Sequence, residues 1–564
     1  MASLKLAGLL VLIACTGTED PPPKPSGGTL VISTAGGPDI LVPGLASAIQ
    51  ATQIVDLVHD RLADIGDSLN IIGDRGFTPR LADRWTWARD SLSIAFHIDE
   101  RARWHDGRPV RAEDVRFTFA SSRDTTLASG VGALLTNIDS VTTPDSGTVV
   151  FWFRSRAPQQ FYDAVYLMPI MPAHIWRDIP PAEWRRSPQS RAPIGSGQFR
   201  FLRWTPRRSV ELVADTSNYH GAPKLSRVIW SLAPDFNGAL TRFLAGEADF
   251  FEALRPEDVR ELATQPHVRV AHTKGLIYTF AQFNLRDPAS RARPHPLFDD
   301  RELRRALTMA VDRNAVVRSV YDSLAHPALG PTVRMYPTTD PDLPQLPFDL
   351  ERARRLLDSL GWRDANGDGI RERNGKPLQF SVVVPGSSAQ RVRLAVLIQE
   401  QLRQAGVKVD VDQLDFPVLI DRQRRRAFDM WIGGWQTQAS PGSVRQTWGT
   451  QGSRARNGLN YGSYESPVFD AYIDSALAAP DIPRRRALFT RAYETIVHDA
   501  PAIWLAEPIP TVGYHSRLQL APMRPDAWWA HLADWWIPAD KRIPRDNITP
   551  AAPSSADTAG RKTP

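Results

Sequence analysis

From Thr29 onward, short β-rich runs alternate with amphipathic helical stretches, and this alternation restricts the chain to an α/β architecture in which helices cover the faces of sheets. Strands are expected at 30–33, 93–98, 149–153, 198–204, 209–214, 228–232, 268–271, 378–384, 407–413 and 428–434. A helix is expected at 389–405, where Ala395, Ile398, Leu402 and Ala405 fall on one face and Gly406 stands at the position that favours a left-handed residue. Two more are expected at 299–311 and 348–360. No internal repeat is visible. With 564 residues and 42% hydrophobic content, the chain exceeds the size to which one core normally grows, so two or three domains are expected. Residues 546–564 carry Pro, Ala, Ser and Thr without periodicity and read as a disordered tail.

The first residues read as a targeting segment. Lys5 precedes an apolar run over 6–14, which is far shorter than the roughly 20 helical residues that span a bilayer, so 1–14 reads as a cleavable signal. Leu12-Ile13-Ala14-Cys15 resembles the bacterial lipobox, in which the cysteine is lipidated and becomes the mature N-terminus. Cys15 is the only cysteine, so with its thiol consumed by lipid the mature chain has no disulfide, no thiolate zinc site and no cysteine nucleophile. Residues 15–28, rich in Pro and Gly, read as a tether holding the body off a membrane.

The net charge of +6 raises the question of nucleic acid. Arg422 to Arg426 and Arg484 to Arg486 lie in helix-like stretches without interleaved aromatics, and they read as solvated faces. No nucleic-acid partner is expected. Asp364-Ala365-Asn366-Gly367-Asp368-Gly369 matches the first half of a calcium loop, but the twelfth position is Gly375 where a bidentate Glu is needed, so it reads as a connector turn. Gly-x-Ser-x-Gly and His-Glu-x-x-His are absent, and Gly195-Ser196-Gly197, flanked by Pro193 and Gln198, reads as a turn into a strand. The 12 His show no ligand spacing, and no metal, cofactor or catalytic set is expected.

Four separated stretches carry a resemblance. The first is Leu81-Ala82-Asp83-Arg84-Trp85, Phe96-His97-Ile98 and Trp104-His105-Asp106-Gly107-Arg108-Pro109-Val110, followed by Ala112-Glu113-Asp114-Val115. The second runs from Pro193 to Phe199 and on through Asn218-Tyr219-His220-Gly221 and Phe243 to Asp249. The third holds Phe283-Asn284, Phe298-Asp299-Asp300 and Leu303 to Arg313. The fourth spans Ala353 to Trp362, the 364–377 turn and Phe428 to Trp435. Together they resemble the extracytoplasmic solute-binding proteins of the peptide and nickel class, family 5, over roughly residues 30–510. One departure is Arg111, which stands where the family usually has a hydroxyl residue that can cap the following helix.

The resemblance implies a two-lobed periplasmic binding protein type II fold with an additional inserted domain and lobes joined by hinge strands. Its segments would be 29–57 with 190–268 and 507–545 for lobe I, 58–189 for the inserted domain and 269–506 for lobe II. It implies capture of a peptide or peptide-like solute between the lobes, delivery to an ABC permease, a monomeric state and an extracytoplasmic, lipid-anchored location. By position and chemistry, Trp435, Gln436, Gln438, Trp448, Asn460 and Tyr278 are the candidates for lining the cleft. Peptide-binding relatives commonly place an Asp shortly after the Gly-Trp to pair with the peptide ammonium, and here Gln438 takes that place. An amide cannot neutralise a buried ammonium, so Glu507 is nominated as a substitute carboxylate. The rival readings are a non-peptide solute such as a nickel chelate, opine or sugar, then a cell-envelope enzyme, then a regulator using this fold as a sensor.

Overall fold

The structure, a computed structural model, describes residues 27–547 apart from Ala128, Ala263, Arg456 and Asn457. The expected signal at 1–14, Cys15, the tether up to residue 26 and the tail beyond Asn547 lie outside the described residues.

A seven-stranded sheet organises the first lobe, in the order Val268–His272, Thr511–His515, Phe250–Phe251, Thr29–Ala35, Arg227–Ala233, Ser209–Ala214, Phe199–Thr205. Thr29–Ala35 runs parallel to both of its neighbours and is buried along nearly its whole length, so that its apolar residues Leu30, Val31 and Ile32 follow one another without alternation. Its core gathers Leu30, Ile32, Ile54, Val58, Trp230, Phe250 and Trp535.

A six-stranded sheet forms the second lobe, in the order Ala325–Pro327, Ala502–Pro508, Ile277–Phe283, Met430–Gln436, Gln379–Pro385, Lys408–Leu414. The helix Ala389–Gln404 connects the parallel pair Gln379–Pro385 and Lys408–Leu414, burying Ala395, Ile398 and Leu402 as their spacing predicts, with Leu394 beside them. Gly406 follows it with φ of +78°, a left-handed terminator. In the turn at 364–369, the Asp364 carboxylate accepts the Gly367 and Gly369 amides at 2.8 and 3.0 Å, so the loop is closed by its own first residue.

The inserted domain is built on an antiparallel sheet of Ala82–Trp87, Ser93–Ile98, Thr148–Phe153 and Ile138–Thr142. Its helix Ala112–Ser122 is capped without a hydroxyl residue: Asp114, on the first turn, reaches back to the Arg111 amide at 2.9 Å and also accepts Ala173 N–H at 2.8 Å.

Four expected boundaries fall elsewhere in the structure. Val268–His272 pairs with Thr511–His515 in the first lobe and Ala502–Pro508 belongs to the second, so the lobes exchange chain at 273–276 and 509–510, not at 268/269 and 506/507. Gly27, placed by the sequence in the tether, donates its amide to Lys224 O at 3.0 Å. Asp546, placed by the sequence at the start of the tail, is buried and accepts Thr29 N–H at 2.7 Å.

Two of the sequence motifs meet where the inserted domain joins the first lobe. His105 Nδ1 accepts the Gly195 amide at 3.2 Å and His105 Nε2 donates to Gly197 O at 2.9 Å, so only the neutral Nε2–H tautomer satisfies both. Burial is the main force holding the imidazole neutral; it lowers His105 to about 4 and the neighbouring His59 to about 3. For a group depressed in the folded state, its share of stability is present above the unfolded value near 6.5 and is lost as pH falls through the folded value. The stability difference between the wild type and His105→Gln is therefore expected to be constant above pH 6.5 and to shrink towards pH 4. Urea midpoints across that range test this, and a difference independent of pH would contradict it.

Candidate ligand-binding site

The strand Met430–Gln436 lies antiparallel to Ile277–Phe283, with Tyr278 opposite Trp435 and Ile277 opposite Gln436. It is terminated when Thr437 donates its amide to Leu276 O at 2.7 Å, and the chain then turns towards the inserted domain. Gly433 is needed on this strand because the Trp431 indole lies across it; a Cβ there would fall 1.7 Å from the ring. Trp431 is held by Gln282, which accepts its Nε1–H at 2.7 Å, and it meets Trp435 edge-on at 6.4 Å. Tyr461 completes this partly exposed aromatic group, 6.0 Å from Trp435.

Beyond the strand, Gln438, Ser440 and Ser443 form one wall of a cavity of about 480 Å³. The opposite wall comes from the inserted domain, including Gln159, Tyr162 and Asp163, and the helix Pro467–Ala478 contributes Asp474 and Leu477. The volume is within the usual range for small-molecule sites, about 300–1,000 Å³. One hydrogen bond crosses between the walls: Ser440 Oγ donates to Gln159 Oε1 at 3.1 Å. The wall itself is steadied by Tyr336, whose hydroxyl donates to Gln438 O. Asp474 is neutralised by Arg445 at 2.7 Å, whereas Asp163 has no charged partner among the described residues and burial pushes its carboxyl up to about 7.

Gln438 lines this cavity, and Trp435 and Gln436 stand on the strand that leads to it. Tyr278, Trp448 and Asn460 are not among the residues around this cavity. Trp448 is fully buried, donates its Nε1–H to the Tyr278 hydroxyl at 2.9 Å and packs on Trp504 at 4.6 Å. Asn460, also fully buried, donates its amide to the carbonyls of Trp448, Gly449 and Tyr464, which makes it a staple for the loop. These side chains occupy the face of the sheet that the helices Pro467–Ala478 and Ile482–Asp499 cover, where Phe489 and Tyr493 join the same core.

Glu507 stands apart from this cavity as well. It lies on the second-lobe strand opposite His326, and both its oxygens are occupied by Arg334, through the backbone amide and the guanidinium, each at 2.7 Å. It is absent from the walls around Gln438. The nominated residues all came from the second lobe or its crossing, so the wall supplied by the inserted domain was missed. The available signal was Asp163 standing alone within the apolar run Phe161-Tyr162-Asp163-Ala164-Val165.

Among the described residues, no group of three or more His, Cys, Asp or Glu could hold a metal ion, and no helix is long and apolar enough to cross a membrane.

Residues 76–455 match the family model for bacterial extracellular solute-binding proteins, family 5. The chain belongs to that family. The oligopeptide-binding protein AppA of Bacillus subtilis is 25% identical over 551 residues, covering 95% of this chain and 98% of AppA. The structure of AppA, solved with a nonapeptide, has a TM-score of 0.76 at 24% identity over 91% of this chain and all of that one. The substrate-binding protein CtaP of Listeria monocytogenes gives 0.78 at 22% identity, covering 91% of this chain and 99% of CtaP. NikZ of Campylobacter jejuni, solved with Ni(L-His), gives 0.75 at 21% identity, covering 90% and 99%. The two-lobed type II fold of this family is therefore the fold of this chain. Its ligand is a separate matter, since AppA and NikZ carry different ones.

Proposed function

We propose that this protein is the extracytoplasmic substrate-binding component of an ABC importer and that it captures peptides. The observation that carries this reading is the cavity between the inserted domain and the Gln438–Ser443 wall, in a chain that aligns with oligopeptide-binding AppA over nearly its whole length. Its walls combine uncharged polar side chains, the largest group, with apolar patches such as Leu134, Leu167 and Leu477. Such a lining suits a ligand with a constant polar backbone and variable side chains, since amides and hydroxyls can pair with peptide groups without selecting one sequence.

Capture and release follow from rotation of the lobes about the paired crossings. Thr273 donates its amide to Pro510 O at 2.9 Å, and Gly275 permits close approach there, because a Cβ on it would stand 2.5 Å from Pro508 O. Closure would bury the ligand, present a surface to the permease and break no bond. The protein would act as a monomer, exported by the 1–14 signal and held at the envelope by lipid on Cys15.

A thermal-shift panel of di-, tri- and oligopeptides tests the ligand assignment. A ligand present at about 100 times its Kd stabilises the folded state by about 2.7 kcal/mol, so a binding peptide should raise Tm clearly. A rise with nickel–histidine, an opine or a sugar, and with no peptide, would overturn the assignment.

A further inference from the structure

With Gln438 uncharged and Glu507 committed to Arg334, the sites nominated from sequence leave a bound ammonium without a counter-charge. The cavity nevertheless contains one. Asp163 sits on the short helix Gln160–Val165, is only 5% exposed, and lines the same cavity as Gln438. The other charges around it are accounted for: Asp474 pairs with Arg445 at 2.7 Å, and Arg156 is an exposed side chain whose Nε donates to Asp90 O at 2.6 Å.

The neighbour of Asp163 is turned to match. Gln159 uses its Oε1 to accept from Ser440, which leaves its amide N–H groups for the Asp163 carboxylate. The carboxylate is thus held by a group that can hydrogen-bond to it and cannot neutralise it. A buried carboxylate in that state carries a desolvation cost that it meets by taking up a proton or by pairing with a cation, and no cation of the described protein is in position to pair with it.

We propose, resting on the peptide reading above, that Asp163 is the anchor for the free α-ammonium of the bound peptide. The inserted domain then supplies the charge recognition, and the second lobe supplies the uncharged wall facing it. Ser440 and Gln159 couple the two, since the hydrogen bond that joins the walls also leaves the Gln159 amide N–H groups for Asp163. Because Asp163 approaches from the inserted domain, the peptide's amino end is placed on that side of the cavity.

The test measures the affinities of wild type and Asp163→Asn for matched peptides with free and N-acetylated amino ends. The wild type is expected to prefer the free-amino peptide by tens of times or more. Asp163→Asn should weaken the free-amino peptide by about a hundredfold, as loss of one partner of a buried charged pair does, and leave the acetylated peptide nearly unchanged. The variant is isosteric and, above pH 7, removes an unpaired buried charge, so its unliganded Tm measured there should equal or exceed that of the wild type, which separates loss of binding from loss of folding. Equal weakening of both peptides, or of neither, would overturn the anchor while leaving the peptide reading intact. Failure of the wild type to bind any peptide, free or acetylated, would overturn the peptide reading and the anchor together.

Discussion

Arg517→Met is expected to destabilise the first lobe by about 3–5 kcal/mol, the range for removing one partner from a buried ionic cluster. Arg517 is 4% exposed, and the side chains of Asp249 and Asp546 that it joins are both fully buried. Its Nε donates to Asp249 Oδ1 at 2.7 Å, a terminal nitrogen pairs with Asp546, and another donates to Thr29 O at 3.2 Å. The two carboxylates hold the first strand of the sheet in turn: Asp546 accepts Thr29 N–H at 2.7 Å and Asp249 accepts Val31 N–H at 2.9 Å. Without the guanidinium, two buried negative charges face each other beside that strand. Arg545 also reaches Asp249, at 2.6 Å, but it is 24% exposed, so Arg545→Met is expected to cost about 1 kcal/mol. Denaturant unfolding of both variants checks the contrast, and equal losses would show that burial of Arg517 is not what matters.

Gly195→Ala is expected to cost about 3 kcal/mol or more and to lower the soluble yield, through overpacking against backbone that has nowhere to go. A Cβ on Gly195 would stand 1.8 Å from Val58 O, and one on Gly197 would stand 2.5 Å from Leu57 O. Both glycines lie against the end of the helix Ile49–Val58, where Val58 O accepts Gly197 N–H at 2.9 Å. Separating these two segments would break this bond and the His105 clamp with it. Gly107 makes a useful comparison. Its φ is +87° and a Cβ there would meet nothing within 4 Å, so Gly107→Ala carries only the left-handed penalty of roughly 1–2 kcal/mol. Unfolding midpoints of the two variants measure the difference, and a Gly195→Ala protein as stable as Gly107→Ala would contradict the steric argument.

The expected strands at 93–98 and 209–214 coincide with the observed Ser93–Ile98 and Ser209–Ala214, and the helix at 389–405 differs from Ala389–Gln404 by one residue. Each carries its pattern within its own window, as side-chain periodicity or a terminating glycine. The strands Ile277–Phe283 and Ala502–Pro508 went unread because they are central in the sheet and covered on both faces, so they show no alternation. Gly195-Ser196-Gly197 was legible as a turn, but not its reason, because Val58 is far away in the chain. Arg111 removed the expected hydroxyl cap, and Asp114 replaced it from three residues along.

The site was less legible for the same reason. Trp448, Tyr278 and Asn460 have the chemistry of a ligand wall and the position of a core, and no local pattern separates the two. Glu507 looked free in sequence because its partner Arg334 lies on another segment. Asp163 reads as an isolated acid until the fold brings Gln438 and Ser440 to the same cavity. The sequence by itself determined the α/β class, the elements with local periodicity and the family motifs, because those depend on residues a few positions apart. Only the tertiary structure decided which charges are already paired and which side chains face the ligand, because pairing and burial depend on groups that are hundreds of residues apart until the lobes assemble.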